Sequence, residues 1–194
     1  MADYAKIIKF WIKETGPDGW YNGPPELDQT IRDKFQSQWQ IALDGGFSDW
    51  KETADGCLGY LILTDQFPRN MFRNDPRAFA TDPMARAVAT YAIEKDFDLQ
   101  VGRAAQEFFY LPFEHSEDMA DQKLCVAHIS TRMDDHDDFL LHARVHQEII
   151  QKFGRFPYRN KALGRSSSEV EQTFIDQNGY MAILQKLEKQ SDHS

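Results

Sequence analysis

Asp138-Phe139-Leu140-Leu141-His142-Ala143-Arg144-Val145-His146-Gln147-Glu148-Ile149-Ile150-Gln151-Lys152-Phe153 is the stretch from which the fold is read, and Gly154-Arg155-Phe156-Pro157-Tyr158-Arg159-Asn160-Lys161-Ala162-Leu163-Gly164-Arg165 follows it directly. Apolar side chains return every three or four residues through the first part, and positions 139, 143, 146, 150 and 153 share one helical face. They are Phe139, Ala143, His146, Ile150 and Phe153, so the spacing predicts a helix over 138–153 with His146 turned toward the core. A buried imidazole needs partners for its ring nitrogens, or desolvation disfavours its cation. From Lys152 to Arg165 there are five basic residues and no acidic one, inside a chain whose formal net charge is -9. That local inversion of charge is the strongest functional hint in the sequence.

The same period organises the rest of the chain. Residues 3–15 put Tyr4, Ile7, Ile8, Trp11 and Ile12 on one stripe, and Gly16-Pro17 is expected to end that helix and leave Trp20 and Tyr21 in a loop. A second helix should begin after Pro24-Pro25, bury Leu27, Ile31, Phe35, Trp39 and Leu43, and stop at Gly45-Gly46. Asp49 and Glu52 have the spacing of a capping box ahead of Leu58, Leu61 and Ile62. Pro68 should stop or kink that helix near Asp65-Gln66-Phe67, because the residue before a proline is pushed out of the α region. Asp82-Pro83 offers a cap and a first-turn proline before Ala85, Val88, Ala89, Ala92 and Ile93. A short helix over 99–109 runs into a polar-aromatic loop, Ser116 is a cap for a helix reaching about Met133, and Ser168 with Glu171 is a second capping box before 169–176 and 181–187.

Alternating β-branched runs are missing, so the expected fold is all-α: eight or nine antiparallel-packed helices in one domain over residues 1–188, with 189–194 as a frayed tail. Repeats near 34 residues cannot be read, which admits a repeat array only in degenerate form. With 194 residues, 41% of them hydrophobic, the chain can bury a core without disulfides or a structural metal. Cys57 and Cys125 are far apart and read as reduced core residues. The opening residues lack a basic segment followed by an apolar run, and the expected location is cytoplasmic. A sequence pI near 5.1 argues against nucleic acid or an anionic membrane as the main partner, while a local basic patch could still hold a small anion.

Several residues could carry chemistry. Asp65 shares a stripe with Leu58 and Ile62, and a carboxylate on an apolar face must be paired, with Arg69 or with an arginine of the 155–165 segment. Arg69, Arg73 and Arg77 recur every four residues; with Arg155, Arg159 and Arg165 they would form an anion pocket if the two groups met. Glu114 and His115 are less easily explained by helix capping than Ser116, Glu117 and Asp118. With His146 they are the candidate acid–base residues, and Asp65, Arg69, Arg73, Arg155, Arg159 and Arg165 the candidate ligand-binding ones. The spacing around Glu114 matches no strong metal signature, so no metal is assigned. Asp134 to Asp138 lacks the glycine and distal glutamate of a calcium loop. GxSxG, P-loop and dinucleotide fingerprints are absent, and the sequence names no cofactor.

Four motifs in order resemble a bacterial family of uncharacterised proteins catalogued as domain of unknown function 924. They are Leu63-Thr64-Asp65-Gln66-Phe67-Pro68-Arg69-Asn70, Arg77-Ala78-Phe79-Ala80-Thr81-Asp82-Pro83, Leu111-Pro112-Phe113-Glu114-His115-Ser116-Glu117-Asp118, and Phe153-Gly154-Arg155-Phe156-Pro157 with Arg159-Asn160 and Leu163-Gly164-Arg165. The resemblance covers about residues 5–180. It implies an all-helical, tetratricopeptide-like fold and brings no activity, substrate or catalytic residue with it. The family commonly has histidine at the position of Tyr158, which here has a phenol to offer instead.

Three functions follow from these residues. The first is a small anionic ligand held between helices by Arg, His and Glu side chains. The second is a protein- or peptide-binding scaffold whose polar motifs lock loops, which leaves room for a protein partner or a homodimer. The third is a hydrolase-like or acid–base enzyme using the same pocket, with His146 or Glu114 as base and arginines stabilising negative charge.

Overall fold

The 3.6-residue periodicity is realised as helices joined by turns and loops across the residues described by the computed structural model, 3–191, and no strand occurs among them. The chain gathers into two units, Met1–Pro112 and Phe113–Ser194.

The first unit begins with α1 (Asp3–Ile8), a π-helical turn at Lys9–Thr15 and α2 (Gly16–Asn22). Gly16-Pro17 therefore does not open a loop around Trp20. Proline fits the first turn of a helix, where an N–H has no intrahelical partner, and Trp20 is buried with its Nε1 donating to Trp11 O at 2.8 Å. Next come α3 (Pro25–Leu43), a 3-10 turn at Ser48–Glu52, α4 (Ala54–Leu61), a π-helical turn at Ile62–Gln66 and α5 (Phe67–Met71). The cap of α4 is Thr53, whose side chain accepts from the Gly56 amide, and not Asp49. A 3-10 turn at Pro76–Phe79, α6 (Asp82–Glu94) and α7 (Arg103–Gln106) complete the unit. Its core is aromatic: Phe35 stacks on Phe67 at 4.8 Å, and Trp11 meets the same ring edge-on at 5.3 Å.

Pro68 does not end the helix; it changes its register. Without an N–H, Pro68 leaves Thr64 O lacking its i+4 donor, in a segment where Thr64 is wholly buried. The Thr81 hydroxyl donates to that carbonyl at 2.5 Å and accepts from Trp39 Nε1 at 3.2 Å. Arg69 Nη1 donates to Asp65 O at 2.6 Å. The Thr81 hydroxyl thus replaces the donor that the proline removes, the Arg69 guanidinium serves the next carbonyl, and the chain continues into α5.

The short helix α8 (Leu111–Glu114) carries the chain from one unit to the next, and the second contains α9 (Met119–Arg132), α10 (Asp137–Phe153), α11 (Glu169–Asp176) and α12 (Gly179–Ser191). α10 packs against both α9 and α12. Val145, Ile149 and Ile150 of α10 meet Phe156, Phe174 and Leu184 in its core. Gly154 ends α10 at φ +67, a left-handed conformation that suits glycine, and its N–H donates to Ile150 O at 2.8 Å. The cap of α9 is Asp118, accepting from the Ala120 amide; Ser116 Oγ instead accepts from the Asp118 amide and bonds to Asp121. Ser168 and Glu171 form the capping box that the sequence announces for α11. Of the tail expected at 189–194, residues 189–191 belong to α12 and 192–194 lie outside the described residues.

Candidate functional site

In the first unit each candidate cation meets a carboxylate. Arg69 forks onto Asp82, Nη1 to Oδ1 at 2.9 Å and Nη2 to Oδ2 at 3.0 Å, and its Nη1 also lies 3.4 Å from Asp65 Oδ1. Asp65 is 1% exposed and accepts from Gln66 Nε2 at 2.6 Å. Asp82, expected as a helix cap, is instead the first residue of α6 and faces this arginine. Arg73 pairs with Asp28 through Nε and, at 2.9 Å, through Nη2, while Asn70 donates to the same carboxylate at 2.9 Å. Arg77 closes on Asp75 at 2.8 Å. These pairs span α3, α5 and α6 and hold the proline-interrupted segment in place.

The basic segment of the second unit is organised in the same way. Arg155 donates through Nε and Nη2 to the two oxygens of Glu171 at 2.6 and 2.8 Å, and also to Ser166 O at 3.0 Å. Arg165 forks onto Glu117 at 2.7 and 2.9 Å, and that carboxylate also accepts from the Phe156 amide at 2.8 Å. Burial raises the Glu117 pKa, but the bonds from Arg165 and the Phe156 amide outweigh it and hold the carboxyl below its ordinary value. Arg159 is buried, donates to His115 O at 2.9 Å and lies 4.3 Å from the centroid of Phe156. The loop from 153 to 165 is therefore fastened by carboxylates brought from α11 and from the turn before α9.

Glu114 and His146 are not accounted for by fastening a loop. Glu114 is 4% exposed at the end of α8, and its Oε1 lies 3.0 Å from His146 Nδ1. The same nitrogen is 2.9 Å from His142 O, one turn back along α10. With Glu114 ionised, both neighbours accept, so in the neutral ring Nδ1 carries the proton and Nε2 keeps its lone pair. Burial drives the His146 pKa down to about 3; the His142 carbonyl opposes this, and the charges of His115, Arg159 and His142 add to it. The Glu114 carboxylate pulls upward, and the enclosure of the ring, with Phe156 and Tyr180 edge-on at 5.4 Å each, outweighs it.

The surrounding residues set the position of this pair. Gln122 is wholly buried, and its Nε2 lies 2.7 Å from both Glu114 O and Ser116 O and 3.3 Å from Phe113 O, which holds the turn bearing the carboxylate. Cys125 is wholly buried beside it; burial first and then the Glu114 charge push its thiol well up. The Tyr180 hydroxyl bonds to His142 Nδ1 at 2.6 Å and ties α12 to α10 at the same level. Burial and then the Glu114 charge raise the Tyr180 phenol as well. Among the described residues no group of three His, Cys, Asp or Glu side chains is gathered so as to hold a metal ion. None of the helices among them is long and apolar enough to cross a membrane.

A family model described as bacterial protein of unknown function, DUF924, matches residues 7–179. The chain belongs to this family. A similar solved fold is found in a protein of unknown function from Agrobacterium tumefaciens, which is 36% identical, covers 90% of this chain and 97% of its own, and superposes with a TM-score of 0.84. No curated protein matches the chain. Glu114, His142 and His146 all lie inside the DUF924 match, and Tyr180 is the first residue beyond it.

Glu114, His115, His146 and Arg159 are legible as candidates in the sequence, whereas His142 and Tyr180 are not named there as site residues. The i, i+4 spacing of His142 and His146 is a signal, since such residues stack on one helical face. Tyr180 carries none: its partner lies 38 positions earlier. Asp65, Arg69 and Arg73 belong to the first unit, and Glu114, His115, His146, Arg155, Arg159 and Arg165 to the second.

Proposed function

We propose that the second unit is a small-molecule site in which a compact anionic ligand is held at the Glu114–His146 pair, with His146 as the group that exchanges a proton with it. The observation carrying this reading is the double engagement of His146 Nδ1, 3.0 Å from Glu114 Oε1 and 2.9 Å from His142 O, which leaves Nε2 as the basic atom of the ring. A carboxylate behind an imidazole fixes its tautomer and steadies the imidazolium formed when Nε2 takes a proton. Arg159 lies close enough for its charge to act on His146, and the positive potential it adds favours an anion there. Arg155 and Arg165, occupied by Glu171 and Glu117, support the loop that carries Arg159. An anion would also offset the Arg159 charge, so its binding and proton uptake by His146 should reinforce each other.

The test is nitrogen-resolved NMR of the histidine side chains at pH 7, with inorganic phosphate, sulfate, acetate and citrate as probes. His146 should show the Nδ1–H tautomer, and at least one probe should move its Nε2 resonance saturably. Glu114→Gln, which retains an oxygen acceptor but no charge, should weaken that response. An Nε2–H tautomer, or an Nε2 resonance indifferent to all four anions, would overturn the reading.

A further inference from the structure

Lys152, like Lys161, is a cation of the basic segment that no carboxylate meets among the described residues, and it is the one set over aromatic rings. It closes α10, and its ammonium lies over the rings of Phe153, 4.9 Å from the centroid, and Phe174, at 5.8 Å. Among the described residues no ion pair or hydrogen bond holds it. Its basic neighbours are neutralised, Arg155 by Glu171 at 2.6 Å and Lys186 by Glu148 at 3.1 Å.

Two open clefts meet at this side chain. One, of about 570 Å³, lies along Phe153, Arg155, Ser168 and Glu171. The other, of about 560 Å³, runs between α10, α11 and α12 over Val170, Phe174, Ala182 and Ile183 to Lys186. Lys152 and Val170 line both. Val170 is 62% exposed, so the floor of the second cleft presents branched aliphatic surface to water while its mouth presents an ammonium. Burying such surface is favourable, and an exposed ammonium beside it attracts a negative charge, modestly.

We propose that this cleft binds a medium-chain aliphatic carboxylate, with the carboxylate on Lys152 and the chain along Val170, Phe174 and Ile183. One charge fits better than two, because Glu148 and Glu171 stand close by and the protein carries a formal net charge of -9. The aliphatic side of the cleft, Val170, Ala182 and Ile183, suits methylenes, with Thr173 and Gln177 beside it. This site does not depend on the His146 reading: its residues are different, and its ligand needs an aliphatic chain.

The experiment titrates the full chain with octanoate, following backbone amides by NMR. Val170, Phe174 and Ile183 should shift saturably, and affinity should rise by about two- to fourfold per methylene from hexanoate to decanoate. Lys152→Gln should weaken binding by about three- to fivefold, as expected for an exposed charge pair, while Lys152→Arg keeps it. Val170→Asp, at an exposed position in the first turn of α11, should abolish it, with circular dichroism confirming the fold. Octylammonium or octanol binding as well as octanoate, or Lys152→Gln binding like the unchanged protein, would overturn the proposal.

Discussion

Replacing Thr81 by valine tests the account of how the chain passes Pro68. Valine keeps the shape of threonine and removes the hydroxyl, which donates to Thr64 O at 2.5 Å and accepts from Trp39 Nε1 at 3.2 Å. Thr64 and Thr81 are wholly buried and Trp39 is nearly so, hence water cannot step in for either bond. Each buried polar group left without a partner costs about 1–3 kcal/mol, and the longer tryptophan bond belongs near the low end, so Thr81→Val should cost about 2–4 kcal/mol. For a chain of this size that corresponds to a fall in Tm of about 5–15 °C. Thr81→Ser provides the comparison: it keeps the hydroxyl and loses one buried methyl, for about 1 kcal/mol. Urea unfolding followed by circular dichroism gives both values. A Thr81→Val protein as stable as Thr81→Ser would show that the hydroxyl does not replace the amide missing from Pro68, and the explanation of the π-helical turn would fall.

A Cβ on residue 56 would lie 1.9 Å from Trp50 O, a backbone atom unable to swing aside, so Gly56→Ala should destabilise by about 3 kcal/mol in urea titration, and a near-neutral result would mean that the turn before α4 is looser than described. His146 is held neutral in the fold, down to about 3 against an ordinary 6.5, so the unfolded chain binds the proton first; its stabilising contribution is complete above pH 6.5 and is lost as pH falls from 6.5 toward 3. His146→Asn should therefore flatten the decline in urea midpoint between pH 7 and pH 5, and an unchanged decline would place the titration elsewhere.

The helices were legible in the sequence because helix formation is governed by neighbours three and four residues away. The stripe Phe139, Ala143, His146, Ile150 and Phe153 marks α10, and Ser168 with Glu171 marks the start of α11, since both patterns are complete within one or two turns. Local rules mislead where a residue serves a partner far along the chain. Asp82 reads as a cap and holds Arg69, and Pro68 reads as a terminus until Thr81, 17 positions past the stranded carbonyl, supplies a donor. Tertiary structure decides what each charge is for. Arg73 meets Asp28 across 45 positions and Arg165 meets Glu117 across 48, so an arginine available for a ligand and one that fastens a loop read alike in the sequence. A carboxylate's position in space, which the fold sets and the local pattern does not, separates the Glu114–His146 pair and Lys152 from the ion pairs that hold the chain together.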